Sequence, residues 1–335
     1  MHPIEYASPN TREQAVRLLG TDPAAAAPLA GGSDLLALMK DGVETPRRLV
    51  SVTGIDGLTG VRAEGGGLRV GAITTLDELA ADAALGWEYP ALTAALARVA
   101  GPQIRNVATL GGNLLQRPRC WYYRNGYGLL ALRDGKSMIP AGDYRYHAIF
   151  GDGGPAHFVS PSTVAPLLIA VGAQAVLFGL QGERSVELEK LYRAPQKEGE
   201  REHDLRPGEI LTHVLLPPAA GRKVASYEVR QRETLDWSLA TASVALEMDA
   251  DGRVARARVV LGQVAPVPWI SVDAAELLKG KSIDAALAAK AGEAAVQKAG
   301  ALAGNRYKIQ LARVAVKRAL IAAAGIIPDH GEEEG

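Results

Sequence analysis

The spacing of apolar and polar residues in the first fifty positions predicts a compact β-α-β unit. Residues 11–19 (TREQAVRLL) read as a short helix with Asn10 or Thr11 as N-cap. An alanine-rich stretch at 24–28 leads into Leu29-Ala30-Gly31-Gly32-Ser33-Asp34-Leu35-Leu36, which predicts strand, tight turn and a helix running to about Met39 or Lys40. The β-rich run Arg48-Leu49-Val50-Ser51-Val52 completes the unit.

Gly65-Gly66-Gly67 predicts a hairpin turn before the strand Leu68-Arg69-Val70-Gly71-Ala72. Thr75 is placed to cap a helix from Leu76, and residues 90–99 form a second, alanine-rich helix. Residues 117–157 are rich in Arg, Tyr and Gly without clean periodicity, and predict a long, ordered excursion over the surface. Regular structure returns over 163–180 as a helix and then the strand Ala175-Val176-Leu177-Phe178.

Composition shifts at 217–222 (PPAAGR), which marks a domain boundary. Three strands are expected beyond it, at 225–232, 240–248 and 254–263, with 249–252 as the turn between the last two. Helices are expected at about 282–300 and 306–323, the last with Asn305 as N-cap and an apolar stripe of Ile309, Ala312, Val316, Ala319, Leu320 and Ala323. The expected domains are 1–218 (subdomains about 1–55 and 56–218) and 222–325, with an acidic tail at 326–335 that includes Glu332 and Glu334.

Bulk chemistry narrows the function. The 335 residues carry 37 Lys+Arg against 37 Asp+Glu, so charge argues for neither nucleic acid nor an anionic membrane surface. One cysteine, Cys120, can form neither an internal disulfide nor a cluster site by itself. The six histidines show no metal-binding spacing, so no metal site is expected. The N-terminus has no secretory pattern and no apolar run is long enough to span a bilayer, so the expected compartment is the cytoplasm. Export to the periplasm with a signal-bearing partner stays compatible with this reading.

Two glycine-rich segments could hold a ligand: Ala30-Gly31-Gly32-Ser33-Asp34 and Ala108-Thr109-Leu110-Gly111-Gly112-Asn113. Paired glycines let the backbone approach a ligand with no Cβ in the way, and their N–H groups can form an anion nest. By itself, each is more often just a turn. Neither the dinucleotide fingerprint nor the P-loop is present, so a nucleotide here needs another cradle.

The order of the segments is more specific than either turn. Residues 29–35, then Arg69-Val70-Gly71-Ala72-Ile73-Thr74-Thr75-Leu76, then Arg105-Asn106-Val107-Ala108-Thr109-Leu110-Gly111-Gly112-Asn113-Leu114, resemble the FAD subunit of the xanthine dehydrogenase and carbon monoxide dehydrogenase family. The likeness continues through Ser160-Pro161-Ser162-Thr163-Val164-Ala165-Pro166, Val229-Arg230-Gln231-Arg232 and Asn305-Arg306-Tyr307-Lys308-Ile309, and so covers nearly the whole chain. Leu115-Gln116-Arg117-Pro118-Arg119-Cys120 is similar to the branch of periplasmic aldehyde oxidoreductases and hydroxybenzoyl-CoA reductases.

The resemblance implies an α+β fold: a vanillyl-alcohol-oxidase (PCMH)-type FAD-binding domain of two α/β subdomains, then a C-terminal sheet-and-helix domain. It implies that Leu29, Ala30, Gly31, Gly32, Ser33, Asp34 and Leu35 wrap the FAD pyrophosphate. Ala72, Thr74 and Thr75 would lie along the cofactor, and Ala108, Thr109, Gly111, Gly112 and Asn113 would meet it from the other side. Ser162 and Thr163 would stand at the sugar, and Arg230 or Arg232 would match a basic position near the flavin unless both are strand-face charges. The family motif at 160–163 commonly carries an aspartate where this chain has Thr163, which puts that contact in doubt. A related branch holds a four-iron cluster through several cysteines, of which Cys120 matches one, so no cluster is expected.

The resemblance thus implies an electron relay without an acid–base catalyst of its own. FAD would take electrons from the [2Fe-2S] clusters of a small subunit, while a large molybdopterin subunit oxidises the substrate. NAD⁺, oxygen and ferredoxin stay open as acceptors. Two other readings stand beside it: a stand-alone FAD oxidase or dehydrogenase of the same superfamily, and a scaffold that has lost FAD. The aromatic residues Trp121, Tyr122, Tyr123, Tyr127, Tyr144 and Tyr146 suggest a flavin-side wall, a docking surface, or local packing of the excursion.

Overall fold

A computed structural model describes residues 3–151, 154–219, 221–232 and 236–326. The acidic tail at Glu332 and Glu334, His2, His330, and Ala220 of the PPAAGR boundary lie outside the described residues.

The N-terminal unit is a three-stranded parallel sheet, with Arg48–Ser51 between Glu5–Ala7 and Ala26–Leu29. Helix Arg12–Leu19 covers it, and Thr11 is the N-cap that accepts the Gln14 N–H. Its core of Ala15, Val16, Leu19, Val50 and Val52 continues into Ile73, Phe178 and Ile210 of the next unit, so the two pack as neighbours.

The second unit is a five-stranded antiparallel sheet in the order Val61–Glu64, Gly67–Gly71, Ile210–Leu216, Gln174–Gly179, Gly182–Glu187. The Gly65-Gly66 turn has positive φ at both residues (60° and 80°), the geometry a two-residue hairpin needs. Thr75 caps helix Leu76–Ala81 in a capping box with Glu78. The strand Gly182–Glu187 was not foreseen: it lies at one edge of the sheet, paired only with Gln174–Gly179 among the described strands.

The C-terminal unit is an antiparallel sheet of Lys223–Arg230, Ser238–Met248, Val254–Gly262 and Trp269–Ile270. Helices Val272–Leu278, Ala285–Val296 and Tyr307–Ala324 complete it; the first was not expected, and the second is shorter than the predicted 282–300 because Asp284 caps its start. The stripe Ala312, Val316, Ala319, Leu320 and Ala323 is buried against the sheet, as its spacing requires.

Two expectations are corrected. Asn305 does not cap the last helix; it is fully buried, and its amide donates to the carbonyls of His147 and Ala148 at 3.3 and 3.0 Å. The excursion, as far as it is described, is not a surface loop. It contains helix Trp121–Arg124 and the small hairpin Leu132–Arg133/Lys136–Ser137. It packs Tyr123, Leu129 and Leu130 onto Leu38 and Phe158, and inserts Ile149 and Phe150 into the C-terminal core.

Candidate functional site

A cavity of about 470 Å³ opens between the first two units. One wall is residues 26–35 with Leu38, a second is Ala72, Ile73, Ala108, Thr109, Gly111 and Gly112, and a third is the segment 199–211 with Arg193. Twelve predicted residues therefore meet on one cavity: Leu29, Ala30, Gly31, Gly32, Ser33, Asp34, Leu35, Ala72, Ala108, Thr109, Gly111 and Gly112.

The two glycine turns differ in what they offer a ligand. In the first, none of the peptide N–H groups of residues 31–35 donates to an acceptor among the described residues. Gly32 has φ +71°, the left-handed value that glycine tolerates at little cost and that curls such a turn. Consecutive free donors on a cavity wall are an anion nest. In the second turn the donors are already used. Leu110 N–H goes to Thr74 O, Gly111 N–H to Ala72 O, Gly112 N–H to Thr109 Oγ1 and Asn113 N–H to Thr109 O. This turn therefore mainly shapes the wall, with the Thr109 N–H and hydroxyl proton left to donate among the described residues.

The turns also touch. A Cβ at Gly31 would overlap the carbonyl oxygen of Val107, and one at Gly111 would come to 3.0 Å from the Ala72 oxygen. These glycines are there because backbone meets backbone.

The other predicted residues lie off the cavity. Thr74 Oγ1 accepts from Gly60 N–H and donates to Gly71 O, both at 2.8 Å, and Thr75 is occupied with its capping box. Asn113 is buried, with Oδ1 accepting from Ser162 Oγ at 2.7 Å; Thr163 is buried as well. Arg230 is held by Glu228 at 2.7 Å and by the Arg98 carbonyl, so it acts as a bridge from the C-terminal sheet. Arg232 instead reaches a second cavity of about 330 Å³, walled by Arg119, Cys120, Trp121, Tyr146, Trp237 and Lys308 among others.

Between the cavities sits a charge cluster that single segments do not reveal. The Asp34 carboxylate takes Arg124 at 2.7 Å, Arg119 at 3.0 Å and the Arg117 peptide N–H at 2.7 Å. The Arg117 guanidinium pairs with Glu44 and with Glu202. Burial pushes the Glu202 carboxyl up, but Arg117 and His203 outweigh it and hold the carboxyl below its ordinary value. His203, buried against Tyr192, is pushed down to about 4 by desolvation. The sequence carried one hint of this wall, the charge-dense run 197–209, which joins the glycine turns only through the fold.

Cys120 Sγ lies 3.1 Å from His147 Nε2. Burial pushes the thiol up and His147 down to about 4, so both are neutral at pH 7. Lys308, also buried, donates to the carbonyls of Tyr146, His147 and Gln263 at 3.0, 3.1 and 2.6 Å.

Comparison with known proteins identifies the family. Residues 2–219 match the FAD binding domain in molybdopterin dehydrogenase, and residues 225–323 match the CO dehydrogenase flavoprotein C-terminal domain. The chain is 36% identical over 265 residues to the aldehyde oxidoreductase FAD-binding subunit PaoB of Escherichia coli K12, covering 75% of this chain and 79% of that protein. It is 30% identical over 325 residues to the carbon monoxide dehydrogenase medium chain of Hydrogenophaga pseudoflava, covering 96% of each. A chain in a solved structure of carbon monoxide dehydrogenase from that organism, lacking the Mo-pyranopterin moiety, superposes with a TM-score of 0.76 at 27% identity, covering 97% of this chain and 98% of that one. Free donors on a nucleotide-sized cavity, and both family matches in sequence order, lead to one assignment: the chain belongs to the family of FAD-binding subunits of molybdenum hydroxylases, the xanthine, carbon monoxide and aldehyde dehydrogenase type.

Proposed function

We propose that this chain is the electron relay of a three-subunit hydroxylase, holding FAD in the cavity between its first two units. A large molybdopterin subunit would oxidise the substrate, and a small subunit with [2Fe-2S] clusters would pass electrons on. FAD held there would supply redox chemistry between those clusters and NAD⁺, oxygen or a ferredoxin, while this chain's residues supply position and electrostatics.

The observation that carries this reading is the row of free N–H donors at residues 31–35 on the cavity wall. A diphosphate satisfies such donors, and no carbonyl or side chain among the described residues competes for them. Thr109 would add its hydroxyl from the opposite wall. We also place the domain division within 217–222, supported by family matches that end at 219 and resume at 225.

The visible spectrum and gel-filtration mass of the purified full chain, alone and co-expressed with candidate partners, test the reading. A yellow chain that oxidises no small donor and enters a Mo- and Fe-containing complex supports it. A chain that stays colourless after incubation with FAD overturns it in favour of a scaffold. Turnover of a small donor by the isolated chain overturns it in favour of an oxidase.

A further inference from the structure

Four arginines line the first cavity, and three are engaged. Arg117 is paired with Glu44 and Glu202. Arg193 donates to the Arg201 carbonyl at 2.9 Å and faces Asp204 at 3.9 Å. Arg206 bonds Gln181 at 3.0 Å and faces Glu209. The fourth, Arg201, is mostly buried, yet its guanidinium meets no carboxylate, carbonyl or ring among the described residues.

Its nitrogens are not among the sealed, unpaired polar atoms, so they stay open to whatever enters the cavity. Burial and the nearby Arg117 charge both disfavour the cation, and Glu202 and Glu44 offset them only in part. A guanidinium does not shed its proton at neutral pH, so an anion entering the cavity would offset both effects. The nest at residues 31–35 lines the same cavity and needs negative charge as well.

We infer that Arg201 is the cationic contact for negative charge on the bound flavin nucleotide. The inference rests on the proposal that this cavity holds FAD. Flavin nucleotides carry such charge in two places: the diphosphate, in every redox state, and the N1–C2=O edge of the ring once it is reduced. Guanidinium recognises either through paired N–H donors. Arg201 is a positioning and charge-balancing residue; no bond forms or breaks at it.

The test uses the full chain freed of flavin, as wild type, Arg201→Gln and Arg201→Lys. FAD and ADP affinities are titrated at two salt concentrations, and the flavin midpoint potential is measured on the loaded chains. If the diphosphate is the partner, Arg201→Gln weakens FAD and ADP alike by about tenfold or more, flattens the salt dependence, and Arg201→Lys recovers part of the loss. If the reduced ring is the partner, ADP affinity holds while the midpoint potential falls. In both cases the flavin-free Arg201→Gln chain melts no lower than wild type, because no partner is lost. Unchanged affinities together with an unchanged potential overturn the inference, as does a Gln variant that unfolds while the Lys variant binds and reduces like wild type. A wild-type chain that takes up no FAD fails the parent reading instead, a result distinct from variants that match a competent wild type.

Discussion

Gly31 lies so close to Val107 that a Cβ on the first would overlap the carbonyl oxygen of the second. The contact joins the free glycine turn to the segment that leads into the internally bonded one, and fixes the width of the cavity between them. Gly31→Ala must therefore push the turns apart. We expect a loss of about 3 kcal/mol or more in urea unfolding, the upper end for forced overpacking, with flavin content falling in parallel. Gly300→Ala, where a Cβ meets nothing within 4 Å, serves as the control and should leave flavin content unchanged.

Asp34 gathers Arg119, Arg124 and the Arg117 N–H, and so ties the excursion to the cavity rim. Asp34→Asn keeps the shape and removes the charge. A destabilisation of about 2 kcal/mol is expected, since the charge-assisted bonds weaken and two guanidinium groups lose their carboxylate. Limited proteolysis should show faster cutting within 117–151 than in wild type; an unchanged pattern would refute the tie.

Acid should destabilise the fold through two histidines. His147 and His203 are both pushed down from 6.5 to about 4, chiefly by burial. The unfolded chain binds these protons at about pH 6.5, whereas the folded chain resists until about 4. Their stability contribution is thus complete above pH 6.5 and is lost as pH falls towards 4, by up to about 3 kcal/mol for each histidine at 1.4 kcal/mol per pH unit. Urea midpoints measured from pH 7.5 to 4.5 should fall in wild type and fall less steeply in His203→Gln.

Lys308 holds the carbonyls of Tyr146, His147 and Gln263 together under the C-terminal helix. Lys308→Met fills the volume but leaves those acceptors unpaired, at a cost of about 3 kcal/mol. Hydrogen exchange should rise at the start of helix Tyr307–Ala324 and around residues 146–148, with the N-terminal sheet unaffected. Uniform exchange across the chain would argue against a local clamp.

Several features were legible in the sequence because their causes are local. Thr11 and Thr75 cap helices through their own side chains, Gly65-Gly66 makes its turn by φ alone, and the stripe of the last helix comes from 3.6-residue spacing. Asn305 misled because N-cap chemistry is also buried hydrogen-bonding chemistry. Only the fold shows that the His147 and Ala148 carbonyls, more than 150 residues away, claim its amide. The fold likewise gives Arg230 the distant Arg98 carbonyl as a partner, beside Glu228.

The sequence by itself determined that two glycine-rich segments stand in a family-specific order, and that the chain is an α+β flavoprotein of that family. Backbone freedom at glycine is written in the residue, so those segments can be read one at a time. The tertiary structure alone decided which turn keeps its donors. The N–H groups at 110 and 111 are spent on the Thr74 and Ala72 carbonyls, while those at 31–35 find no such acceptor. It also decided that Arg201, with nothing to distinguish it in a charged run, reaches the same cavity without a partner among the described residues. Whether a donor or a charge is free depends on every neighbour the fold brings within hydrogen-bond reach, and those neighbours are distant in the chain.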